Sequence, residues 1–313
     1  MKLSGTVLLL VALASASVAE GPIPVVPEVR AVRATSPITI DGLLSEAAWQ
    51  SAPAISGLRQ QRPNDAGSYR LVVAGMSDVG CVRSNNEDSF GVFEAETPCK
   101  GCLMVLADGM GGAAVGEVAS RLAVDTVVAH YLADRKCHRA QESMRTAIQK
   151  ANRSVHERST SGSGTGGIST TCTAAGISDN SLVVGHVGDS RAYLVRPESI
   201  EQLTADHTLA AELSEIGKSG AAVPESARHV LTRCPGSQPD VQVDVTGRVV
   251  RLDDRDAVVP CSNGLPAVVE DDEICQIVGS KPPREACRGL VELARSRGDP
   301  DNVTVLVGLL RAA

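Results

Sequence analysis

Four short acidic segments hold the side chains best suited to chemistry in this chain. They are NNED at 85–88, DG at 108–109, GDSR at 188–191 and DPDN at 299–302. Carboxylate and carbonyl oxygens of this kind suit Mg²⁺ or Mn²⁺ better than Zn²⁺. Converging carboxylates can hold two divalent cations, which activate a water and neutralise phosphoryl oxygens. Arg83 precedes the first segment and has the planar charge that clamps a phosphate. The pattern therefore favours a metal-assisted hydrolase.

The elements that position these segments are predicted from hydrophobic periodicity. An apolar run at 103–107 predicts a buried strand that ends at Asp108, followed by a glycine turn and a helix over 115–132. A glycine cluster of this kind is also consistent with a plain tight turn. We expect further strands at 69–77, 171–177, 182–187, 191–195, 241–245, 257–261 and 303–310, and further helices at 140–158, 209–216, 271–278 and 283–297. Strands of antiparallel type with paired helices favour an α+β fold over a doubly wound parallel sheet.

The first 68 residues differ from the rest in composition. Lys2, the apolar run at 7–14 and the small residues at 17–19 predict a signal peptide over 1–19 and an exported protein. A proline-containing linker over 20–68 follows. Within it, residues 36–65 resemble the opening of a family 9 carbohydrate-binding module, through the IDGxLxExxW pattern that ends at Trp49. This stretch is too short to bury a core. A misassigned start of the chain would instead place the protein in the cytoplasm.

Charge and hydropathy exclude two classes of partner. The net charge is −7, whereas non-specific binding to nucleic acid needs a basic surface. No run after the leader reaches the ~18 apolar residues that a membrane span requires. Aromatic residues make up 2% of the chain, so we expect a core of Val, Leu, Ile and Ala.

Residues 70–311 resemble the bacterial form of the type 2C, metal-dependent Ser/Thr protein phosphatases. The matching motifs occur in the family's order, and we assign the phosphatase domain to 69–313. They are SDVGCVRSNNEDS at 77–89, ADGMGG at 107–112, GEVAS at 116–120, STT at 169–171, VGDSRAYL at 187–194, QLTADHTL at 202–209, HVLTR at 229–233, CSNGL at 261–265 and DPDNVTV at 299–305.

The resemblance implies a four-layer α/β/β/α sandwich, with two antiparallel sheets flanked by helix pairs. It implies a site for two Mn²⁺ or Mg²⁺ ions in which Asp108 bridges both ions, Gly109 offers its carbonyl to one and Asp301 binds the other. Asp88 would hold a metal-bound water, supported by Glu87.

The same resemblance implies the substrate. Arg83 would bind the phosphate of a phosphoserine or phosphothreonine, which a metal-activated water attacks directly. The partners would be phosphorylated proteins and a cognate Ser/Thr kinase, and the protein would be a monomer.

Asn263 is the main departure from the family pattern, which has an Asp metal ligand at this place. Asn keeps one oxygen but loses the charge, and even changes outside the ligand shell lower metal affinity ~10–100-fold. Three hypotheses follow: a phosphatase weakened by Asn263, a phosphatase-like domain that binds phosphoproteins without turnover, and an exported fusion product without selected activity.

Overall fold

The computed structural model of the chain describes residues 8–12, 29–33, 69–95, 101–111, 115–134, 139–161, 167–216, 227 and 230–312. The chain divides into two units, 1–64 and 65–313. In the first, strand β1 (Leu8–Ala12) pairs antiparallel with β2 (Val29–Arg33). The signal peptide over 1–19 and the linker over 20–68 stay predictions, and the carbohydrate-binding resemblance over 36–65 lies outside the described residues.

The strands of the second unit form two antiparallel sheets. The five-stranded sheet contains β3 (Tyr69–Asp78), β9 (Arg191–Arg196), β10 (Ser199–Gln202), β13 (Ala257–Cys261) and β14 (Val303–Ala312), in the order β10-β9-β13-β14-β3. The seven-stranded sheet contains β4 (Asp88–Glu94), β5 (Cys102–Met110), β6 (Ser169–Thr170), β7 (Cys172–Ser178), β8 (Ser181–Val187), β11 (Asp244–Val245) and β12 (Val250–Arg251). Its order is β11-β8-β7-β5-β4, with β12 on β8 and β6 on β5.

The second unit also contains helices, most of which pack on the outer faces of the two sheets. They are α1 (Val115–Ala133), α2 (Ala140–Ser161), α3 (Leu209–Ile216), α4 (Gly264–Val268), α5 (Asp271–Ser280) and α6 (Pro283–Ser296). Helices α1 and α2 share one apolar cluster with the seven-stranded sheet. Helices α4, α5 and α6 share a second cluster with the five-stranded sheet.

A third apolar cluster lies between the sheets, as strand β5 illustrates. Leu103 and Val105 pack toward the helices, whereas Met104 and Leu106 face the opposite sheet. The alternation follows from the two-residue period of side chains along a strand. The predicted α+β fold, a four-layer α/β/β/α sandwich, is therefore confirmed.

Local predictions differed from the structure in three places. Strand β5 does not end at Asp108 but continues to Met110, because β6 pairs with Gly109 and Met110. The strand expected at 241–245 is reduced to Asp244–Val245. The short elements β10 and α4 were not predicted. In the described part of the chain, no helix is both long and apolar enough to cross a bilayer.

Candidate active site

Two acidic side chains meet at one end of the seven-stranded sheet. Asp88, the first residue of β4, is the register partner of Asp108 on β5. Directly opposed residues of an antiparallel pair have Cβ atoms about 5 Å apart on the same face. That face is the one that carries Met104 and Leu106, so the two carboxylates lie at the end of the gap between the sheets.

Asp88 is held from the opposite sheet. Its Oδ2 accepts hydrogen bonds from Ser262 Oγ at 2.8 Å and from Thr304 Oγ1 at 2.6 Å. Its Oδ1 is buried without a hydrogen-bond partner. Burial raises the pKa of Asp88 to about 6, more than the two hydroxyl donors lower it. One carboxylate oxygen is therefore anchored and the other is available to a ligand.

Asp108 is fixed through its backbone. Its N–H donates to Thr171 Oγ1 at 2.9 Å, and its carbonyl accepts from Thr170 Oγ1 at 2.8 Å. Burial, followed by the charges of Asp88, Asp189 and Asp301, raises the pKa of Asp108 well above its usual value. A cation at this point would relieve both the burial of charge and the mutual repulsion.

A side chain that sequence reasoning had not singled out joins the two acidic loops. Asn302 Oδ1 accepts from the N–H of Glu87 at 2.8 Å, and Asn302 Nδ2 donates to the carbonyls of Val79 and Asn85. This clamp places Glu87 beside the site, where burial raises its pKa. The DPDN motif was noted for its acids, and nothing local in it indicates the clamp.

Arg83 and Asp301 lie beside the site but bind each other. Arg83 Nε is 3.0 Å from Asp301 Oδ1, and Arg83 Nη2 donates to Asp301 Oδ2 at 3.0 Å. Within the described ranges, no three His, Cys, Asp or Glu side chains converge on one point as they stand. The Arg83 side chain is 55% exposed, so the pair lies at the surface, where ion pairs are weak and open readily.

Gly109 provides the close approach that the site needs. A Cβ at this position would lie 2.1 Å from the carbonyl oxygen of Gly116 and 2.7 Å from that of Glu87. Strand β5, the start of α1 and the Glu87 loop can therefore pack together only around a glycine. The Gly109 N–H also donates to the Glu87 carbonyl at 3.1 Å.

Asn263 lies at the start of α4 and contacts Asp189. Its Nδ2 donates to Asp189 Oδ2 at 3.1 Å, while its Oδ1 is buried without a partner. Asp189 belongs to the GDSR segment at 188–191 and lies in the turn between β8 and β9. Its contact with Asn263 was missed, because the two residues are 74 positions apart.

Asp206 and His207 of the QLTADHTL motif have structural contacts, and the cap of α3 is provided by the next residue. Thr208 Oγ1 accepts from the Ala211 N–H at the start of α3, whereas Asp206 receives Arg191 at 2.7 Å. His207 is also structural, since its Nδ1 accepts from the Gly188 N–H and its Nε2 contacts Asp244.

The donor set fits a hard divalent cation. Among the described residues, three buried side-chain oxygens lack a hydrogen-bond partner, and two of them are Asp88 Oδ1 and Asn263 Oδ1. The third belongs to Asp299, whose pKa burial raises to about 6. Buried oxygens without donors, beside carboxylates whose charge is unrelieved, are what an oxygen-ligated cation requires.

A cleft of about 530 Å³ lies elsewhere, lined by residues such as Arg196, Arg248 and Arg251. It contains none of the predicted site residues. Two opposed acids at the end of a two-sheet sandwich, with an arginine beside them, fit a metal-dependent hydrolase.

Comparison with known proteins identifies the family. Residues 82–233 match the family described as Protein phosphatase 2C. The serine/threonine phosphatase stp of Listeria innocua is 33% identical over 237 residues, which cover 74% of this chain and 92% of that protein. The chain belongs to the protein phosphatase 2C family.

Solved structures agree with this assignment. The catalytic domain of the serine/threonine protein phosphatase PstP, in complex with two manganese ions, is 34% identical, with a TM-score of 0.66 over 78% of this chain and 100% of that chain. The serine/threonine phosphatase Stp1 of Staphylococcus aureus is 30% identical, with a TM-score of 0.69 over 82% of this chain and 99% of that chain. The two-sheet fold of the protein is the fold of these phosphatases.

Proposed function

We propose that this protein is a Mn²⁺- or Mg²⁺-dependent protein serine/threonine phosphatase that hydrolyses phosphoserine and phosphothreonine. The observation that carries the proposal is the opposed pair Asp88 and Asp108, with one oxygen of Asp88 buried and unpartnered beside it. Membership of the family supports the reaction class. The hypothesis of a phosphoprotein-binding domain without turnover is not favoured, since the relatives named above are phosphatases.

Five residues would hold two ions in this proposal, as two manganese ions are held in the PstP domain. They are Asp88, Asp108, Gly109 through its carbonyl, Asn263 and Asp301. Bound ions of this kind lower the pKa of water and neutralise phosphoryl oxygens. The hydroxyls of Ser262 and Thr304 orient Asp88 for this role, because they hold the Oδ2 atom and leave Oδ1 facing the site.

Arg83 would receive the substrate phosphate. Its guanidinium now binds Asp301 at 3.0 Å. This ion pair would open when substrate and metal bind. The phosphate would then bind Arg83, and the metal would bind the carboxylate of Asp301. The guanidinium of arginine makes paired hydrogen bonds with a carboxylate or with a phosphate, so Arg83 could exchange Asp301 for the substrate. Glu87, beside Arg83 and Asp301, would support the site as a nearby acid.

Phosphorylated proteins are the substrates in this proposal, in keeping with the family and the named relatives. The proposal includes a cognate Ser/Thr kinase that adds the phosphate to these substrates. It also includes that the protein is a monomer. The loss of one charge at Asn263 is expected to weaken turnover rather than abolish it, since Asn keeps one oxygen in place.

The test is hydrolysis of a phosphothreonine peptide by the full chain with Mn²⁺. The native chain should release phosphate only with metal, Asp108→Asn should be inactive, and Asn263→Asp should be faster at low Mn²⁺ by ~10-fold or more. The proposal fails if the native chain shows no metal-dependent release while Asn263→Asp does.

A further inference from the structure

The cleft of about 530 Å³ lies between the edges of the two sheets. One wall comes from β9 and β10, at the edge of the five-stranded sheet. The other wall comes from β12 and the segment 246–249 before it, at the edge of the seven-stranded sheet. Leu194, Leu203 and Val250 line the cleft and belong to, or pack against, the apolar cluster between the sheets. The cleft is therefore an opening of the gap between the sheets.

The segment 246–249 is a bulge in the edge of the seven-stranded sheet. Strand β11 ends opposite Gly185 and β12 begins opposite Leu182, so these four residues lie opposite only two residues of β8. A bulge bends its strand and redirects the side chains that it carries. Here the extra length adds Arg248 to the lining of the cleft.

Three arginines line the cleft, and two of them are held in place. Arg196 Nε lies 3.4 Å from Oδ2 of the buried Asp256, and Arg196 Nη2 donates to the Arg251 carbonyl at 3.3 Å. Arg251 Nη1 in turn donates to Asn180 Oδ1 at 2.8 Å. A guanidinium has five N–H groups, so both side chains keep donors for a ligand. The third, Arg248, makes no hydrogen bond or ion pair with any residue that the structure describes.

The charge of the cleft is opposite to that of the whole chain. Glu201 is the one carboxylate among its lining residues, against three arginines, whereas the chain carries a net charge of −7. Arginine makes paired, charge-assisted hydrogen bonds with carboxylates and phosphates. A positive cleft on an acidic surface selects an anionic ligand, because the surrounding surface repels that ligand elsewhere.

Strand β10 favours a peptide as this ligand. It is the last strand of its sheet, so its outer edge pairs with no other strand in the described part of the chain. Its residue Glu201 lines the cleft, whereas Ile200 packs with the cluster under the helices. An extended peptide can add to such an edge through backbone hydrogen bonds. Alternate side chains of the peptide would then face the arginines, and the others would lie beside Ile200.

We propose that the cleft is a docking site for an acidic, extended segment of the phosphoprotein substrate, separate from the residue that is dephosphorylated. The inference rests on the proposed function, because it takes the substrate to be a protein. The arginines would bind the carboxylates of the segment, and β10 would pair with its backbone. Docking of this kind raises the effective concentration of the phosphorylated residue at the active site.

Strand β9 sets the distance between the two sites. Its first residue, Arg191, is the register partner of Cys261, which directly precedes Ser262 beside the metal site. Its last residue, Arg196, lines the cleft. At ~3.4 Å per residue the strand spans ~17 Å. A flexible linker of ~10 residues has a mean reach of about this length, so one substrate chain can occupy both sites.

The first experiment measures binding of a fluorescein-labelled, eight-residue peptide of alternating glutamate and valine to the full chain. Fluorescence anisotropy at low salt, with chelator present, keeps the metal site out of the measurement. The glutamate peptide should bind, and binding should weaken as salt is added. The same peptide with glutamine in place of glutamate should not bind. Equal binding of the two peptides would overturn the proposal.

Variants of the lining test the site itself. Arg248→Glu should weaken binding of the glutamate peptide ~10–100-fold, since it removes a charge-assisted hydrogen bond and adds repulsion. The matched control Arg284→Glu, at an exposed position at the start of α6, should bind as the native chain does. Glu201→Gln should tighten binding ~2–5-fold, because it removes the opposing carboxylate. No difference between Arg248→Glu and Arg284→Glu would contradict the assignment.

The second experiment measures hydrolysis with Mn²⁺ of a phosphothreonine peptide joined to the glutamate–valine sequence by a ten-residue Gly/Ser linker, on either side. KM should be ~10-fold lower than with the glutamine–valine sequence, with kcat unchanged. Arg248→Glu should abolish this difference and leave hydrolysis of the peptide without an acidic segment at its native rate. An equal KM for the two linked substrates would refute docking.

Other occupants of the cleft give different results. ATP that binds in an Arg248-dependent way, while the glutamate peptide does not bind, would assign the cleft to a small anion and overturn the proposal. A dimer in sedimentation that Arg248→Glu dissociates would assign it to a second copy of the chain, with the same consequence. Failure of the proposed function is distinct: the glutamate peptide would bind in chelator, but no phosphothreonine substrate would be hydrolysed.

Discussion

The substitution Asp88→Asn should stabilise the metal-free protein while it removes metal binding. Burial holds the pKa of Asp88 at about 6, against 3.8 for the free side chain. A carboxyl whose folded pKa is raised lowers stability as the pH rises through that value, because the folded state resists losing the proton. At neutral pH the metal-free protein therefore carries an unfavourable charge that the variant's neutral amide would not carry.

The magnitude follows from the pKa gap. A gap between 3.8 and about 6 corresponds to about 3 kcal/mol when the group is fully ionised. The variant's amide oxygen would still accept from Ser262 and Thr304, but its amide N–H groups would lie where Oδ1 of Asp88 is now buried. A buried donor without a hydrogen-bond partner costs about 1 kcal/mol. The free energy of unfolding of the variant should therefore exceed that of the native chain by about 2 kcal/mol.

The assay is urea unfolding in chelator at about pH 7.5 and again at about pH 4.5, where the gain should shrink by about 2 kcal/mol because native Asp88 is then largely protonated. Excess Mn²⁺ at about pH 7.5 should reverse the order, since metal at 100 times its Kd stabilises the native chain by about 2.7 kcal/mol. A variant less stable than the native chain in chelator at both pH values would refute the reasoning.

Two further outcomes are expected. Gly109→Ala should destabilise the protein by about 1–3 kcal/mol in urea unfolding, since its Cβ would lie 2.1 Å from the Gly116 carbonyl oxygen; the matched control Gly279→Ala, with open space around its Cβ, should not. Burial, followed by the charge of His207, lowers the pKa of His186 to about 3 in the folded protein. Because the unfolded pKa is about 6.5, the free energy of unfolding should decrease as the pH falls below that value, by about 3 kcal/mol at about pH 4.5. His186→Gln should lose that acid sensitivity, and an unchanged pH slope of its unfolding free energy would contradict the assignment.

Residue patterns along the chain were sufficient for most of the elements and for a choice of candidate acids. Short apolar runs in β5 and β14 predict buried strands, and helical spacing predicts α1, α2 and α6, because both patterns are local properties of the chain. The acidic segments that contain Asp88, Asp108 and Asp301 were noted because they lie beside such runs, and the family resemblance then singled out these three residues. The small number of aromatic residues was compensated as expected, by a core of Val, Leu and Ala.

Contacts between distant segments needed the tertiary structure. The register that sets Asp88 opposite Asp108 depends on how β4 and β5 align, and a shift by one residue would turn one carboxylate to the other face. The clamp of Asn302 on Glu87 joins residues 215 positions apart, and no local pattern encodes it. The extension of β5 through Gly109 likewise depends on pairing with β6.

By itself, then, the sequence determined the kind of chemistry, since oxygen-bearing side chains at strand ends can serve only a limited set of ions. Only the tertiary structure decided how complete the ligand set is. Asn263 viewed in the chain is an aspartate with its charge removed, whereas in the fold it is joined to the carboxylate of Asp189. The reason is physical: charge acts through space, and the two residues become neighbours only when the turn between β8 and β9 meets the start of α4.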